Sequence, residues 1–421
     1  MTLSTVALLH YTAPPIIGGV ESVLDAQARW LLQAGFDVTV IAGRGAESAL
    51  AEGVQFLQIP ELDSLHPRVA SIGTALEQGR LSADFGSVAV GIAQTLGPIL
   101  SRFDHVIVHN VLTKHFNLPL TAALFDLLDA HMLRQCIAWC HDFTWTSPHS
   151  RSKVHPGYPW DLLRTWRPDV SYVVVSRERQ RTLAQLFHCS PEVIRVIYDG
   201  VDPAALLGLS PQGRALLERL GVQHSDLIIL MPVRITAAKN IELALRVMAE
   251  LKARACQPRL IITGPPDPHD AESLAYFHAL QELCAQLNVE SEARFVFESG
   301  PDPDQPCFID DSLVAELLRV SDVLFMPSQR EGFGLPILEA GLIGIPVVCT
   351  ENVPAAREIG GEDVLTFKAT DPPETIADLI QAWVQHSPVH RLRHRIKQDY
   401  SWPAIFQREV LPLLVGGRRA V

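Results

Sequence analysis

Apolar and polar positions along the chain follow two rhythms. Short runs such as VALLHY (6–11), DVTVIAG (37–43), HVIVHN (105–110), QCIAWCH (135–141) and VSYVVVS (170–176) are almost continuously apolar, as strands covered on both faces must be. Between them, VESVLDAQARWLLQAGF (20–36) sets Val20, Val23, Leu24, Leu31 and Leu32 on much of one face of a 3.6-residue period, which predicts a helix. The rhythm restarts after residue 200 with LIILMPV (227–233), RLIITG (259–264), ARFVFES (293–299), DVLFMPS (322–328) and IPVVCT (345–350). Strands alternating with helices predict an α/β chain of two successive doubly wound, Rossmann-like units with parallel sheets. The seam falls in VIYDGVDPAAL (196–206), where Asp-Gly and Asp-Pro mark a turn, dividing 1–199 from a second unit over 200–399.

Composition narrows this picture. A chain of 421 residues exceeds one ordinary core, and 48% apolar with 19% charged residues is a globular balance. The net charge of −12 speaks against a broad nucleic-acid-binding face, and the short basic run RLRHRIK (391–397) predicts the solvated side of a helix. Seven cysteines form no CxxC pair; Cys136 and Cys140 sit among apolar neighbours, so buried, reduced thiols in a cytoplasmic protein are expected. The start, STVALLHYTAPP, predicts a first strand and not a signal peptide. The run GFGLPILEAGLIGIPVVCT contains Glu339 and two prolines, so it predicts a buried helix and a strand and not a membrane span; peripheral membrane contact stays open.

Ligands of doubly wound sheets lie beyond the carboxyl ends of the strands, and the chemistry-bearing residues cluster there. In EGFGLPILEA (331–340), Pro336 suits a first helical turn, Gly332 and Gly334 leave amides open to a diphosphate, and Glu331 and Glu339 can accept hydrogen bonds from ligand hydroxyls. Arg234 and Lys239 in MPVRITAAKN (231–240) supply the counter-charge for a diphosphate and for charge that builds as it leaves. In IIGGVE (16–21), Gly18 and Gly19 form either a tight turn or a set of amides facing a phosphate or an acceptor; no dinucleotide fingerprint is present. His141 and Asp142 end one strand, and His109 and Asn110 end the one before it, which puts them forward as substrate contacts. His390 and His394 stand at helical spacing among arginines, where a solvated helix is the better reading, and no carboxylate or histidine cluster has metal-ligand spacing.

Taken together, the GGVE loop, the strand-terminal His-Asp, YDGVD, the Arg and Lys of PVRITAAKN and the two glutamates of EGFGLPILE make the chain resemble the retaining nucleotide-sugar glycosyltransferases of the GT-B fold, family four. The resemblance implies two Rossmann-like domains facing each other across a cleft, with residues 400–421 crossing back to the first domain. It implies that Glu331 contacts the donor sugar and Glu339 the ribose. Amides of Phe333, Gly334 and Leu335 would hold sugar and phosphate, Arg234 and Lys239 the diphosphate with Gly19 assisting, and His141 would touch the sugar. The implied reaction moves a hexose from a UDP- or GDP-linked donor to a hydroxyl of a carbohydrate, polyol or lipid-linked acceptor, with no metal and no cofactor. A sugar-nucleotide epimerase or a non-catalytic sugar-nucleotide-binding subunit is the alternative. Asp199 and Pro232 depart from the family pattern, which usually has Asn and Gly at these places.

Overall fold

The apolar runs fold as parallel strands in a computed structural model that describes residues 4–254, 256–267, 272–302 and 305–416. The chain divides into one unit of Met1–Val201 with Asp399–Val421 and a second of Asp202–Gln398. The first contains β1 (Thr5–Thr12), β2 (Asp37–Arg44), β3 (Gln55–Gln58), β4 (His105–His109), β5 (Cys136–Cys140), β6 (Val170–Val174) and β7 (Ile194–Val196), in the order β3-β2-β1-β4-β5-β6-β7. The second contains β8 (Leu227–Met231), β9 (Pro258–Ile262), β10 (Ala293–Phe295), β11 (Val323–Met326), β12 (Val347–Thr350) and β13 (Leu365–Phe367), in the order β10-β9-β8-β11-β12-β13. Among the described residues every strand pairing is parallel, for example Leu8 with both Val40 and Ile107, or Leu230 with both Ile261 and Leu324. In both sheets the order reverses beside the first strand, between β1 and β4 and between β8 and β11, and such switch points open the crevices where ligands bind.

Three strands carry no signal in the apolar pattern: QFLQ, IRV and LTF, which become β3, β7 and β13. Each is short and lies at a sheet edge, where half-exposed positions replace the continuous apolar run. ARFVFES pairs only through Ala293–Phe295 and then tightens into a helical turn at Val296–Glu298.

The segment after residue 400 belongs to the first unit's core. Trp402, Ile405, Phe406, Val410 and Leu414 are buried with Leu8, Val40 and Val173. Tyr400 O accepts from Val201 N at 2.9 Å and Val201 O from Trp402 N at 2.9 Å, so the points where the chain leaves and re-enters this unit are bonded together. A side chain on Gly200 would meet the Trp402 ring at 2.9 Å, so glycine there permits this close pairing.

The basic run 391–397 differs from its expected solvated face. On helix Pro388–Asp399, His390, Arg393 and Lys397 recur at helical spacing and turn toward Asp322, whose side chain is 4% exposed. Asp322 accepts from Lys397 Nζ at 3.2 Å and from the amide of Ile228 at 2.9 Å, with Arg393 Nε and His390 Nδ1 each at 3.9 Å. A carboxylate taken out of water needs such partners, so Arg393 and Lys397 of this run, with His390 just before it, gather around a buried carboxylate. His394 stacks on His390 at a centroid distance of 6.0 Å.

Candidate functional site

In the second unit the site grows from the loops after β8 and β11, on either side of the switch point. After β8 the chain turns through Pro232, and Ile235 N bonds Pro265 O at 3.0 Å, tying this loop to the one after β9. Gly264 makes that approach feasible: a Cβ there would lie 2.3 Å from Val233 O and 2.6 Å from Arg234 Cα. A short turn, Ala237–Lys239, ends at Asn240 in the left-handed conformation (φ 52°), which starts helix Ile241–Ala253. The amide of Gln329 donates to Ala238 O at 2.9 Å, so the loop after β11 docks on this turn. That contact brings Lys239 Nζ to 2.7 Å from Glu331 Oε1, which also accepts from Ser328 Oγ at 2.7 Å.

The glycine-rich loop is held from beneath and open above. Ser328 O accepts from Thr350 Oγ1 at 2.6 Å, and Phe333 O from Ala355 N at 2.8 Å. Gly334 has φ 102°, and a Cβ on it would meet Val353 Cγ1 at 2.4 Å, so both conformation and space require glycine. Helix Leu335–Ile343 follows, with Pro336 in its first turn. Among the described residues nothing accepts from the amides of Gly332, Phe333, Gly334 or Leu335. Open amides at a helix start favour an anion. Phe333 and Leu335 are exposed, and Glu339 is half-buried with no ion pair among the described residues. Arg234 is 60% exposed, with NH1 3.9 Å from Asp267 Oδ1, and makes no ion pair with Glu331 among the described residues. Glu331 uses Oε1 twice, while Oε2 has no partner among the described residues.

In the first unit Gly19 begins helix Gly19–Gln33 with empty space where a Cβ would be, and Gly18 O accepts from Ser22 N at 3.0 Å. Glu21 of the same motif turns inward, hydrogen-bonded by Thr12 Oγ1 and 3.8 Å from His10 Nε2. The two strand-terminal pairs separate by depth. His109 is fully buried, with Nδ1 3.4 Å from His141 Nε2, and so stands behind His141 instead of on the rim. Asn110 (φ 60°) spends its Oδ1 on the amides of His141, at 2.8 Å, and Asp142, at 3.2 Å. Asp142 is exposed and paired with Arg179 at 3.0 Å. His141 keeps 9% of its side chain exposed, with Nδ1 3.8 Å from Asp199 Oδ2. Sequence reasoning missed His10 and the pairing of Asp199; apolar context hid the first, and the second joins residues far apart in the chain.

Burial sets the protonation of this cluster. It holds the His141 imidazole down to about 4, with the neighbouring His10 adding to the effect, and holds His109 well below its usual range. His115, in the next loop, is likewise lowered to about 4 by burial and by Lys153 and Lys114. These histidines are neutral when folded but take protons when unfolded below about pH 6.5. Between pH 6.5 and 4 the unfolded state therefore binds more protons, and stability falls as the pH falls. Burial raises Asp199 to about 6, which acts in the opposite sense, favouring the folded state on acidification. Three histidines outweigh one carboxyl, so we expect the melting temperature to drop from pH 6.5 to 4.5 and His141→Asn to flatten that slope. A thermal-unfolding series checks this; an unchanged slope would remove His141 from the account.

Among the described residues no group of three His, Cys, Asp or Glu side chains is placed to hold a metal ion, and no helix is long and apolar enough to cross a membrane. All seven cysteines carry free thiols.

Two parallel sheets of Rossmann order, each with candidate residues at its switch point, define a two-unit α/β architecture. The family model "Glycosyltransferase Family 4" matches residues 17–205, and "Glycosyl transferases group 1" matches residues 214–400. The chain belongs to these glycosyltransferases of the GT-B fold. It is 27% identical over 246 residues to an uncharacterised glycosyltransferase of Methanocaldococcus jannaschii, covering 56% of this chain and 58% of that one. It is 31% identical over 201 residues to a D-inositol 3-phosphate glycosyltransferase of Streptomyces bingchenggensis, covering 45% of this chain and 40% of that one. The chain thus spans about half the length of the curated relatives it matches.

Proposed function

We propose that the chain moves a hexose from a nucleoside-diphosphate sugar to a hydroxyl of a carbohydrate or small polyol, with retention at the anomeric carbon. The observation that carries this reading is the Ser328–Glu331–Lys239 cluster at a helix start where the amides of residues 332–335 are open. Lys239 has three donors, so it can keep Glu331 with one and meet a diphosphate oxygen with another. Arg234 reaches out from the adjoining loop as the second cation. Glu331 Oε2 and the Glu339 carboxylate are placed to accept from hydroxyls of sugar and ribose.

In the reaction, the bond between the anomeric carbon and the diphosphate oxygen breaks and its electron pair stays on the diphosphate. Lys239, Arg234 and the amides of residues 333–335 stabilise that charge, the role a preorganised anion site performs best in a water-poor environment. The acceptor oxygen bonds to the anomeric carbon on the face the diphosphate leaves, and its proton passes to a diphosphate oxygen. The products are a glycoside and a nucleoside diphosphate, and none of these steps calls on a metal. His141, neutral at its edge of the first sheet, is the group of that unit proposed to contact substrate.

A thermal-shift panel of UDP, GDP and ADP tests the reading. The cognate nucleotide at about 100 times its Kd stabilises the protein by about 2.7 kcal/mol, and Arg234→Ala shrinks that gain at least tenfold in affinity. Glu331→Gln keeps the nucleotide shift and loses turnover. If no nucleotide raises the melting temperature, or donor is converted to an epimer without acceptor, the reading fails.

A further inference from the structure

Among the described residues nothing completes the hydrogen bonding of Asp199. Its carboxylate makes no hydrogen bond there and is 40% exposed, and the group that faces it is His141 Nδ1, 3.8 Å from Oδ2. That gap is too long for a direct hydrogen bond, whereas two bonds of about 2.8 Å that meet at one hydroxyl near a right angle span about 4 Å. We propose that Asp199 is a specificity-determining residue that, with His141, holds one hydroxyl of the substrate hexose between an N–H and a carboxylate; this rests on the reading of the chain as a sugar transferase.

The neighbours of His141 assign its proton. An imidazole with its N–H on Nδ1 turns a donor toward the carboxylate, while the other tautomer would set a lone pair against an anion. His109 agrees, because its Nδ1 lies 3.4 Å from His141 Nε2 and its own Nε2 is buried without a partner among the described residues. Donating from Nδ1 leaves a bare lone pair at that closed end, where an N–H would be orphaned. His141 therefore spends Nε2 inward and offers Nδ1–H outward. A hydroxyl fits between the two because it accepts and donates at once. A substrate carboxylate, ionised near neutral pH, would meet Asp199 as a like charge.

The opposite end of the histidine row provides an internal comparison. There Glu21 Oε1 lies 3.8 Å from His10 Nε2, the same separation, and the hydroxyl of Thr12 donates to that oxygen. No side chain among the described residues does so for Asp199. Both halves of the pair are also held in place before any ligand arrives. Asn110 Oδ1 accepts from the amides of His141 and Asp142. Asp199 lies between Ile197, whose amide donates to Val174 O at 3.0 Å, and Val201, which is bonded to both Tyr400 and Trp402. A donor and an acceptor fixed in this way lose little freedom on binding.

Ionisation of Asp199 sets the pH range of this recognition. Burial raises its pKa to about 6, so the carboxylate accepts above that pH and gives way below it to an uncharged carboxyl. His141, lowered by burial to about 4, stays a neutral donor across the same range. The titratable groups around His141 are His109 and His10, both lowered by burial, and Asp142, which is paired with Arg179. The step near pH 6 therefore belongs to Asp199.

Isothermal titration calorimetry on the full chain tests this with UDP-glucose, UDP-galactose, GDP-mannose and ADP-glucose, and with UDP, GDP and ADP as controls. At about pH 7.5, Asp199→Asn should weaken the tightest-bound of these sugars about tenfold, the loss expected when a charged acceptor becomes a neutral one. The free nucleoside diphosphates should bind the variant as they bind the wild type, which also shows that it folds. At about pH 5 the tenfold ratio should shrink to about twofold or less, because the wild-type carboxylate is then protonated. Removing each hydroxyl of that sugar in turn should identify one whose loss costs the wild type about as much, and at that position alone Asp199→Asn should add nothing. The inference is overturned if wild type and variant bind the sugar equally, if their ratio is the same at both pH values, or if no hydroxyl couples to Asp199. It is overturned too if none of these sugars binds a wild type that binds a free nucleoside diphosphate. Failure of UDP, GDP and ADP alike to bind would instead strike the donor reading.

Discussion

Lys239→Met is expected to lower the rate of sugar transfer by about 10²- to 10³-fold, the usual loss when one preorganised donor to a developing negative charge is removed. Lys239 holds Glu331 at 2.7 Å and its side chain is 21% exposed, so its charge acts where solvent screening is partial. Methionine keeps most of the apolar stem and removes only the ammonium. Glu331 retains the Ser328 hydroxyl, so the loop stays tethered and the variant folds. Single-turnover assays with saturating donor place the loss in the chemical step, and an Arg134→Met control removes an exposed pair with Asp104 without affecting rate. Turnover within about threefold of wild type would show that the cation has no part in the departure of the diphosphate.

The second large effect concerns stability. Asp322→Ala is expected to cost about 3–5 kcal/mol, because it leaves the charges gathered around it without their counter-ion. Lys397 shows how unfavourable that state is: burial already lowers its pKa, and the nearby Asp322 works against that shift. The substitution also strips the Ile228 amide, at the start of β8, of its acceptor. The loss should appear as faster hydrogen exchange in β8, β11 and helix Pro388–Asp399, and it should respond little to salt, unlike an exposed pair. Equal exchange in variant and wild type would mean that the cluster adds nothing to the second unit.

Much of this molecule is legible in one dimension. A strand covered on both faces needs apolar residues at nearly every position, and a covering helix needs them every three to four, so central strands and helices announce themselves. The edge strands β3, β7 and β13 do not, because one side of each lacks a neighbour and the requirement lapses. Pro336 in the first helical turn is readable for a related reason, because few residue types suit that backbone, whereas Gly334 reads only as an open amide and its left-handed conformation comes with the structure. ESGPDPDQPCFIDD (298–311) yielded no shape in sequence, and its residues 303 and 304 lie outside the described ones.

Depth and partnership were not legible. His109 and His141 both end strands in the same manner, yet the fold closes His109 off completely and leaves His141 9% exposed. The basic run near the C-terminus reads as solvated until Asp322, 75 positions before Lys397, is seen beneath it. Lys239 meets Glu331 across 92 positions, and Lys153 meets Glu77 across 76. Residue order encodes the two units, their strands and the glycine-acidic loop, because periodicity and backbone demands act over a few neighbours. Which charges pair and which histidine stays dry depend on strands brought side by side by the sheets, and those meetings leave no local trace.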